Sequence, residues 1–114
     1  MKVRLIFVPP GGGEADYQLQ FELPAIPQTG DYISILRDEE VGYETFIVRR
    51  TIWELRYPAS QGVSASEHEH GTASTIFVEC EFARGAFSSD NHKRACDAYE
   101  ARGFKVPEHE ATAY

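Results

Sequence analysis

Apolar and polar residues alternate along most of the chain with a period of two, which is typical of half-buried β-strands. In the first such segment, residues 2–8, one face carries Val3, Leu5 and Phe7. Two prolines and three glycines end this segment, and residues 17–23 resume the same alternation. The two segments therefore predict an N-terminal β-hairpin with a wide connecting loop.

A longer segment, residues 43–57, changes the face of its apolar residues halfway along. Its first half places them at even positions, including Phe46 and Val48, and its second half at odd positions, including Trp53. Because the side-chain period of a strand is two, one extra residue must lie within 49–52. We therefore predict a β-bulge or sharp bend there, a feature that small barrels use to turn a strand.

The remaining elements follow from similar patterns. A short strand begins at Tyr32, another strand covers residues 75–82, and residues 58–74 form an exposed, mobile loop with few large apolar side chains. A serine N-cap and Gly103 bound a predicted helix over residues 88–102.

A chain of 114 residues fits a single domain. We expect this domain to cover residues 1–105 and residues 106–114 to form a flexible tail. The predicted fold class is mainly β with one C-terminal helix. Its architecture is a small antiparallel barrel with a bent long strand and an N-terminal hairpin.

The net charge of the chain limits the classes of macromolecule that it is expected to bind. Eighteen acidic residues against eleven Lys and Arg give a net charge of −7, which opposes binding to nucleic acid or to an anionic membrane surface. Neither Cys80 nor Cys96 belongs to a C-x-x-C motif, and no apolar run approaches the roughly 20 residues of a membrane helix. We therefore expect a cytoplasmic protein that does not span a membrane. Binding to DNA would need a local basic patch.

Three stretches, GDYISI, FIVRRTIWEL and IFVECEF, together resemble small SH3-like barrels of short uncharacterised bacterial or phage proteins. The similarity covers about residues 21–82. It implies a Gly-Asp turn that feeds a short strand, and a long bent strand that crosses to the last strand. It brings no catalytic residues and implies binding to another macromolecule, for example by a phage or mobile-element regulator that blocks a host factor.

Several aromatic side chains are candidates for that binding. Tyr32, Tyr43, Phe77 and either Trp53 or Tyr57 cannot all enter the core if the alternation holds. Tyrosine and tryptophan dominate recognition surfaces, so these residues favour a binding face. The alternative is that the N-terminal hairpin or the C-terminal helix covers them.

The basic residues concentrate on the same long strand. Arg49, Arg50 and Arg56 offer guanidinium groups that suit a phosphate or carboxylate. The alternative is cross-strand pairing with Glu79 and Glu81, which needs no ligand. The complete set of candidate binding residues is Tyr32, Tyr43, Arg49, Arg50, Trp53, Arg56 and Tyr57.

Histidines in the predicted loop suggest a second kind of site. His68 and His70 alternate with two glutamates, and both residue types are ligands for zinc or nickel. His92 on the helix could supply a third ligand. The alternative is a polar loop that holds two histidines without a metal, in which case no cofactor is required.

Motifs of catalysis are missing from the sequence. The glycine-rich stretch after the first strand lacks the Gly-Lys-Ser/Thr of a phosphate-binding loop, and G-x-S-x-G does not occur. His92 and Cys96 lie one helical turn apart, but no oxyanion site accompanies them. We therefore predict a noncatalytic module, monomeric or homodimeric, that binds another protein. The alternative function is a small-ligand or metal-binding domain that uses the histidine-containing loop.

Overall fold

The computed structural model of the chain describes residues 1–58 and 70–108. Within them, the chain forms five strands and one helix. In chain order these elements are β1 (Lys2–Val8), β2 (Tyr17–Glu22), β3 (Tyr32–Leu36), β4 (Tyr43–Arg56), β5 (Thr72–Phe82) and α1 (Asp90–Ala101). No helix in this part of the chain is long and apolar enough to cross a membrane.

All five strands belong to one curled sheet, a half-barrel, in the order β2-β1-β5-β4-β3. The predicted class, mainly β with one C-terminal helix, is confirmed. One pairing at the centre of the sheet differs from the predicted antiparallel arrangement, because β1 and β5 run parallel. The alternation of apolar residues specifies which face of a strand is buried, but it carries no information about the direction of the neighbouring strand.

The core fills the concave face of the half-barrel. It contains side chains from β1, β4 and β5 together with two from α1: Val3, Leu5, Phe7, Phe46, Val48, Val78, Cys80, Phe82, Cys96 and Tyr99. Helix α1 begins after the N-cap Ser89, whose hydroxyl accepts a hydrogen bond from the backbone N–H of His92 at 3.2 Å. Gly103 follows the helix with a φ of +92°, as the sequence predicted for a helix-ending glycine.

The predicted bulge is present in β4. Residues of β4 and β5 pair one to one as far as Val48 and Cys80. The next pair is Arg50 with Glu79, so Arg49 is the extra residue. This insertion changes which residues face the core, and Trp53 therefore shares a face with Val48. The prediction of an extra residue within 49–52 is confirmed.

Beyond the bulge, β4 and β5 extend past the other strands. Strand β3 pairs with β4 only up to Ile47, and β1 pairs with β5 only from Phe77 onward. Residues 50–56 and 72–76 therefore form a two-stranded ribbon that continues past the sheet. Strand β5 begins three residues earlier than predicted, so the predicted loop over 58–74 is too long at its C-terminal end; its residues 59–69 lie outside the described ranges.

The first residues of the predicted tail are attached to the barrel. Val106 packs against the core, and the carbonyl oxygen of Pro107 accepts a hydrogen bond from the backbone N–H of Arg84 at 2.8 Å. Glu108 forms a bridge with the same residue. Residues 109–114 lie outside the described part of the chain.

Candidate functional site

The arginines at the bulge are paired within the sheet. Arg49 Nε donates to Glu79 Oε1 at 3.0 Å, and Arg50 Nε donates to Glu79 Oε2 at 2.9 Å. Two consecutive residues reach the same carboxylate because the bulge turns both toward one face. Glu79 is only 8% exposed, so this is a nearly buried carboxylate held by two guanidinium groups. Of the two alternatives for these arginines, the structure shows the cross-strand pairing.

The glycine-rich loop after β1 covers part of this cluster. A Cβ atom added to Gly12 would lie 3.0 Å from the guanidinium carbon of Arg49, so the loop backbone packs directly on that side chain. The backbone N–H of Gly11 donates to Glu81 Oε2 at 2.9 Å. Two glutamates thus accompany two arginines on this face. The charges balance, which leaves no surplus of positive charge to attract a phosphate.

Of the predicted aromatic residues, Phe77 is half-buried in β5, and the others are exposed but are distributed over different parts of the surface. Trp53 and Tyr57 lie on one face of the ribbon, with Leu55 between them. Tyr32 lies at the start of β3, and Tyr43 lies beside the turn before α1, where its backbone N–H donates to Phe87 O at 2.7 Å. Neither the N-terminal hairpin nor the helix buries these side chains. The structure therefore brings together only the ribbon members of the predicted set.

An open groove of about 670 Å³ adjoins the ribbon. Residues 24–29, which connect β2 to β3, form one wall, and the opposite wall consists of Arg50, Thr51 and Trp53. The N-terminal residue Met1 also lines it. Trp53 is 52% exposed, so a large part of its indole ring is available to a ligand in this groove.

A second groove, of about 360 Å³, lies on the other side of the same connecting segment. Tyr32 and Ile33 line it, together with Pro24, Ile26 and Pro27. The connecting segment is thus a proline-containing ridge with an exposed aromatic residue on each side. This segment was not among the residues predicted for the site. Two prolines within four residues could have indicated that this segment leaves the sheet, because proline has no backbone N–H to donate to a neighbouring strand.

Arg56 and His70 meet at the far end of the ribbon. With Tyr57, Pro58 and Thr72 they line a groove of about 400 Å³. Arg56 is exposed, and among the described residues it belongs to no ion pair. The arginine that the sequence grouped with Arg49 and Arg50 is therefore separate from them.

The predicted histidine site is not assembled as expected. His92 is 2% exposed, its ring stacks on Phe82 at a centroid distance of 5.6 Å, and its Nε2 lies 2.7 Å from Ala83 O. His70 lies at the opposite end of β5, a strand of 11 residues. At about 3.3 Å per residue the two ends are roughly 35 Å apart, too far for one metal ion. His92 is therefore a core residue and not the third ligand.

The second histidine of the predicted pair, His68, lies outside the described residues. Among residues 1–58 and 70–108, no group of three potential ligands is close enough to hold a metal ion. His92 occupies the same helical face as Cys96 and Tyr99, at intervals of four and three residues. That spacing could have identified it as a core residue from the sequence.

Both cysteines are buried and unreactive in character. Burial raises the pKa of the Cys80 thiol to about 12 and that of the Cys96 thiol to about 11. A thiol of this kind is protonated at neutral pH, and the protonated form is a poor nucleophile. Cys80 is the small buried hydrophobic residue that the alternation predicted, and Cys96 does not form a catalytic pair with His92.

A polar cluster connects the two edges of the half-barrel. Tyr17 on β2 donates its hydroxyl hydrogen to Glu44 Oε1 at 2.8 Å, and Arg37 forms an ion pair with the same carboxylate. Burial, with the nearby Glu44 carboxylate, raises the pKa of the Tyr17 phenol well above its usual range. The phenol is therefore a hydrogen-bond donor at neutral pH, and the cluster holds β2 near β3 and β4.

Comparisons with protein-family models, with curated proteins and with solved structures found no match. The geometry of the described residues therefore carries the functional argument.

Proposed function

We propose that the protein is a noncatalytic interaction module that binds an extended segment of another protein. The binding site is the groove between residues 24–29 and the ribbon. The observation that carries this proposal is the half-exposed indole of Trp53 in a groove of about 670 Å³ that follows the unpaired side of β4. Tryptophan contributes more to protein recognition than almost any other residue type.

An extended peptide suits this groove for two reasons. Its side chains can pack between the prolines of the connecting segment and Trp53, which form rigid apolar walls. Its backbone can hydrogen-bond with the edge of β4 past Val48, where no described strand pairs with it. Strand addition of this kind supplies affinity through the main chain and selectivity through the side-chain pockets.

Protein is a better partner than nucleic acid for this surface. The net charge of −7 repels a polyanion, and Arg50, the cation in the groove wall, already donates to Glu79. Regulation of a host factor by a phage or mobile-element protein stays a prediction from the resemblance to SH3-like barrels.

Selection of binders from a random peptide library, with the full chain as bait, tests the proposal. Trp53 is the one tryptophan in the sequence, so its emission reports directly on the groove. A groove-binding peptide should shift that emission to shorter wavelength, because the indole loses contact with water. Titration of labelled peptide should show binding weakened at least about tenfold by Trp53→Ala.

Phe87→Ala is the matched control, since Phe87 is a 74% exposed aromatic residue that does not line the groove. Selected peptides that bind wild type and Trp53→Ala equally well would contradict the proposal. Native mass spectrometry of the purified chain addresses the small-ligand or metal-binding alternative, since a stoichiometric retained ligand would favour that function instead.

A further inference from the structure

The end of the ribbon has a symmetric sequence. Around Leu55, the next residues on each side are oppositely charged, Glu54 and Arg56, and the residues beyond them are both aromatic, Trp53 and Tyr57. Because side chains alternate along a strand, the aromatic residues share one face with Leu55, and the charged residues lie on the other face. A strand with this arrangement is complementary to a second copy of itself that runs in the opposite direction.

The backbone of this segment is also open on one side. Residues 50–56 pair with β5 along one edge, with a register shift between Glu54 and Leu55 that leaves Ser74 of β5 as the extra residue. Along the other edge, β3 stops at Ile47, and past Val48 no backbone hydrogen bond reaches this edge from the described part of the chain. A two-stranded ribbon is only marginally stable by itself, and an unpaired apolar edge is a template for a further strand.

We propose that a second copy of this chain pairs with this edge of β4, in an antiparallel arrangement with its twofold axis at Leu55. The two ribbons then form a four-stranded sheet in the order β5-β4-β4-β5. Leu55 faces Leu55 of the second copy. Trp53 faces Tyr57 of the second copy on the same side of the sheet, and the symmetry repeats this aromatic pair.

The opposite face supplies charge complementarity. In this register Glu54 lies opposite Arg56 of the second copy, and the symmetry creates the same pair twice. Both side chains are available, because neither belongs to an ion pair among the described residues; Glu54 accepts a hydrogen bond only from the hydroxyl of Ser74, at 2.8 Å. Like charges would meet if the axis lay at Trp53, since Arg50 would then face Arg56 of the second copy.

Exposure supports the same axis. Leu55 is 70% exposed, more than Trp53 or Tyr57, so the apolar surface is most open at the proposed centre. Half-exposed aromatic residues contribute roughly 100 Å² each, which gives an apolar patch on the order of 300–400 Å² per copy. Stable dimers bury about 800 Å² per partner. We therefore expect a dimer that dissociates on dilution, not an obligate one.

This inference goes beyond the proposed function and does not depend on it. Its centre, Leu55, is not among the residues that line the groove. The second copy would occupy the same edge of β4 and cover the same Trp53 side chain that the peptide uses, so we expect dimerisation and peptide binding to compete.

Sedimentation velocity of the full chain over a concentration series tests the dimer. The wild type should convert from monomer to dimer as concentration rises. Glu54→Arg or Arg56→Glu alone should weaken the dimer by roughly tenfold or more, because each reversal replaces two attractive pairs by two repulsive ones. The double variant Glu54→Arg/Arg56→Glu restores opposite charges and should recover most of the affinity. Lys93→Glu, on the exposed side of α1, is the control for a change in net charge.

A chain that stays monomeric up to millimolar concentration would overturn the proposal. A dimer whose affinity is unchanged by the single charge reversals would overturn it too.

The variant Leu55→Cys tests the register of the two strands. Directly opposite residues in antiparallel strands have Cα atoms about 4.5–5.5 Å apart, within the range of a disulfide.

Mild oxidation of Leu55→Cys should therefore give a covalent dimer. Leu36→Cys, at a 61% exposed leucine on another edge strand, should stay monomeric, and the buried Cys80 and Cys96 do not compete. Efficient crosslinking of Leu36→Cys with none at Leu55→Cys would place the interface elsewhere. A Leu55→Cys chain that crosslinks on oxidation but binds no selected peptide in its reduced form would support the dimer and contradict only the peptide proposal.

Discussion

Glu79 connects the bulge of β4 to β5, and neutralising it by Glu79→Gln perturbs that connection with little change in shape. The wild-type carboxylate accepts hydrogen bonds from Arg49 Nε at 3.0 Å and from Arg50 Nε at 2.9 Å. The variant keeps a single acceptor oxygen and turns an amide N–H₂ group toward the other arginine. One guanidinium therefore loses its partner, and both lose a neutralising charge.

The size of the effect follows from the burial of the partners. A hydrogen bond to a charged group contributes about 1.5–3 kcal/mol when it is shielded from water. The side chains of Arg49 and Arg50 are 41% and 62% exposed, so water replaces part of the hydrogen bonding that they lose. We expect the free energy of unfolding to fall by about 2 kcal/mol. For a domain of this length that corresponds to a Tm lower by about 8 °C.

Urea and thermal denaturation measure this change directly. Glu81→Gln is the matched control, because the Glu81 carboxylate accepts a hydrogen bond from the backbone of Gly11 and, among the described residues, forms no ion pair with an arginine. Glu81→Gln should lower the free energy of unfolding by less than about 1 kcal/mol. A double-mutant cycle with Arg50→Ala should give a coupling energy of about 1 kcal/mol with Glu79. Equal stabilities for the two glutamine variants, with no coupling to Arg50, would refute the pairing as the support of the bulge.

Three further predictions concern the stability of the fold. His92→Ala should lower the free energy of unfolding by about 2–4 kcal/mol in urea titrations, because it opens a cavity and removes the imidazole nitrogen that contacts the Ala83 carbonyl oxygen and the Thr45 backbone N–H; a cost below about 1 kcal/mol would contradict the core role. Gly42→Ala should lower the melting temperature more than Gly30→Ala. Both glycines have positive φ, but only at Gly42 would the new Cβ atom meet Ser89, at 2.7 Å from its backbone nitrogen. Equal melting temperatures would contradict this reasoning. Burial raises the pKa of Cys80 from 9.0 to about 12, so the unfolded thiol ionises first, and its contribution to stability is complete below pH 9 and is lost as the pH rises toward 12. Urea midpoints measured between pH 8 and pH 11 should fall accordingly, and a flat profile would contradict the burial of this thiol.

The secondary structure could be predicted from the sequence because its causes are local. The alternation in residues 2–8 and 17–23 identified β1 and β2, and the phase change after Val48 placed a bulge within 49–52, which the structure has at Arg49. The pairing of the arginines with a glutamate on β5 was one of two stated alternatives. It could be anticipated because opposite charges on neighbouring strands attract at short range.

The site was only partly predictable. Trp53, Arg56 and Tyr57 lie on the ribbon as the pattern indicated, but Tyr43 lies beside the helix and does not join them. The groove depends on residues 24–29, whose approach to β4 is a long-range contact that no local pattern specifies. The prediction of His92 as a third ligand was wrong for the same reason, since the sequence does not give the distance between the two ends of β5.

The sequence by itself therefore determined the strands, the helix with a serine cap, the buried faces and the presence of an extra residue within 49–52. Each of these follows from side-chain periodicity or from the conformational preferences of a few adjacent residues. Only the tertiary structure decided that β1 and β5 pair in parallel, that the β4 and β5 ends extend as a ribbon, and that residues 24–29 form a groove with β4. These features depend on which distant segments meet, and that choice is made by the packing of the whole chain.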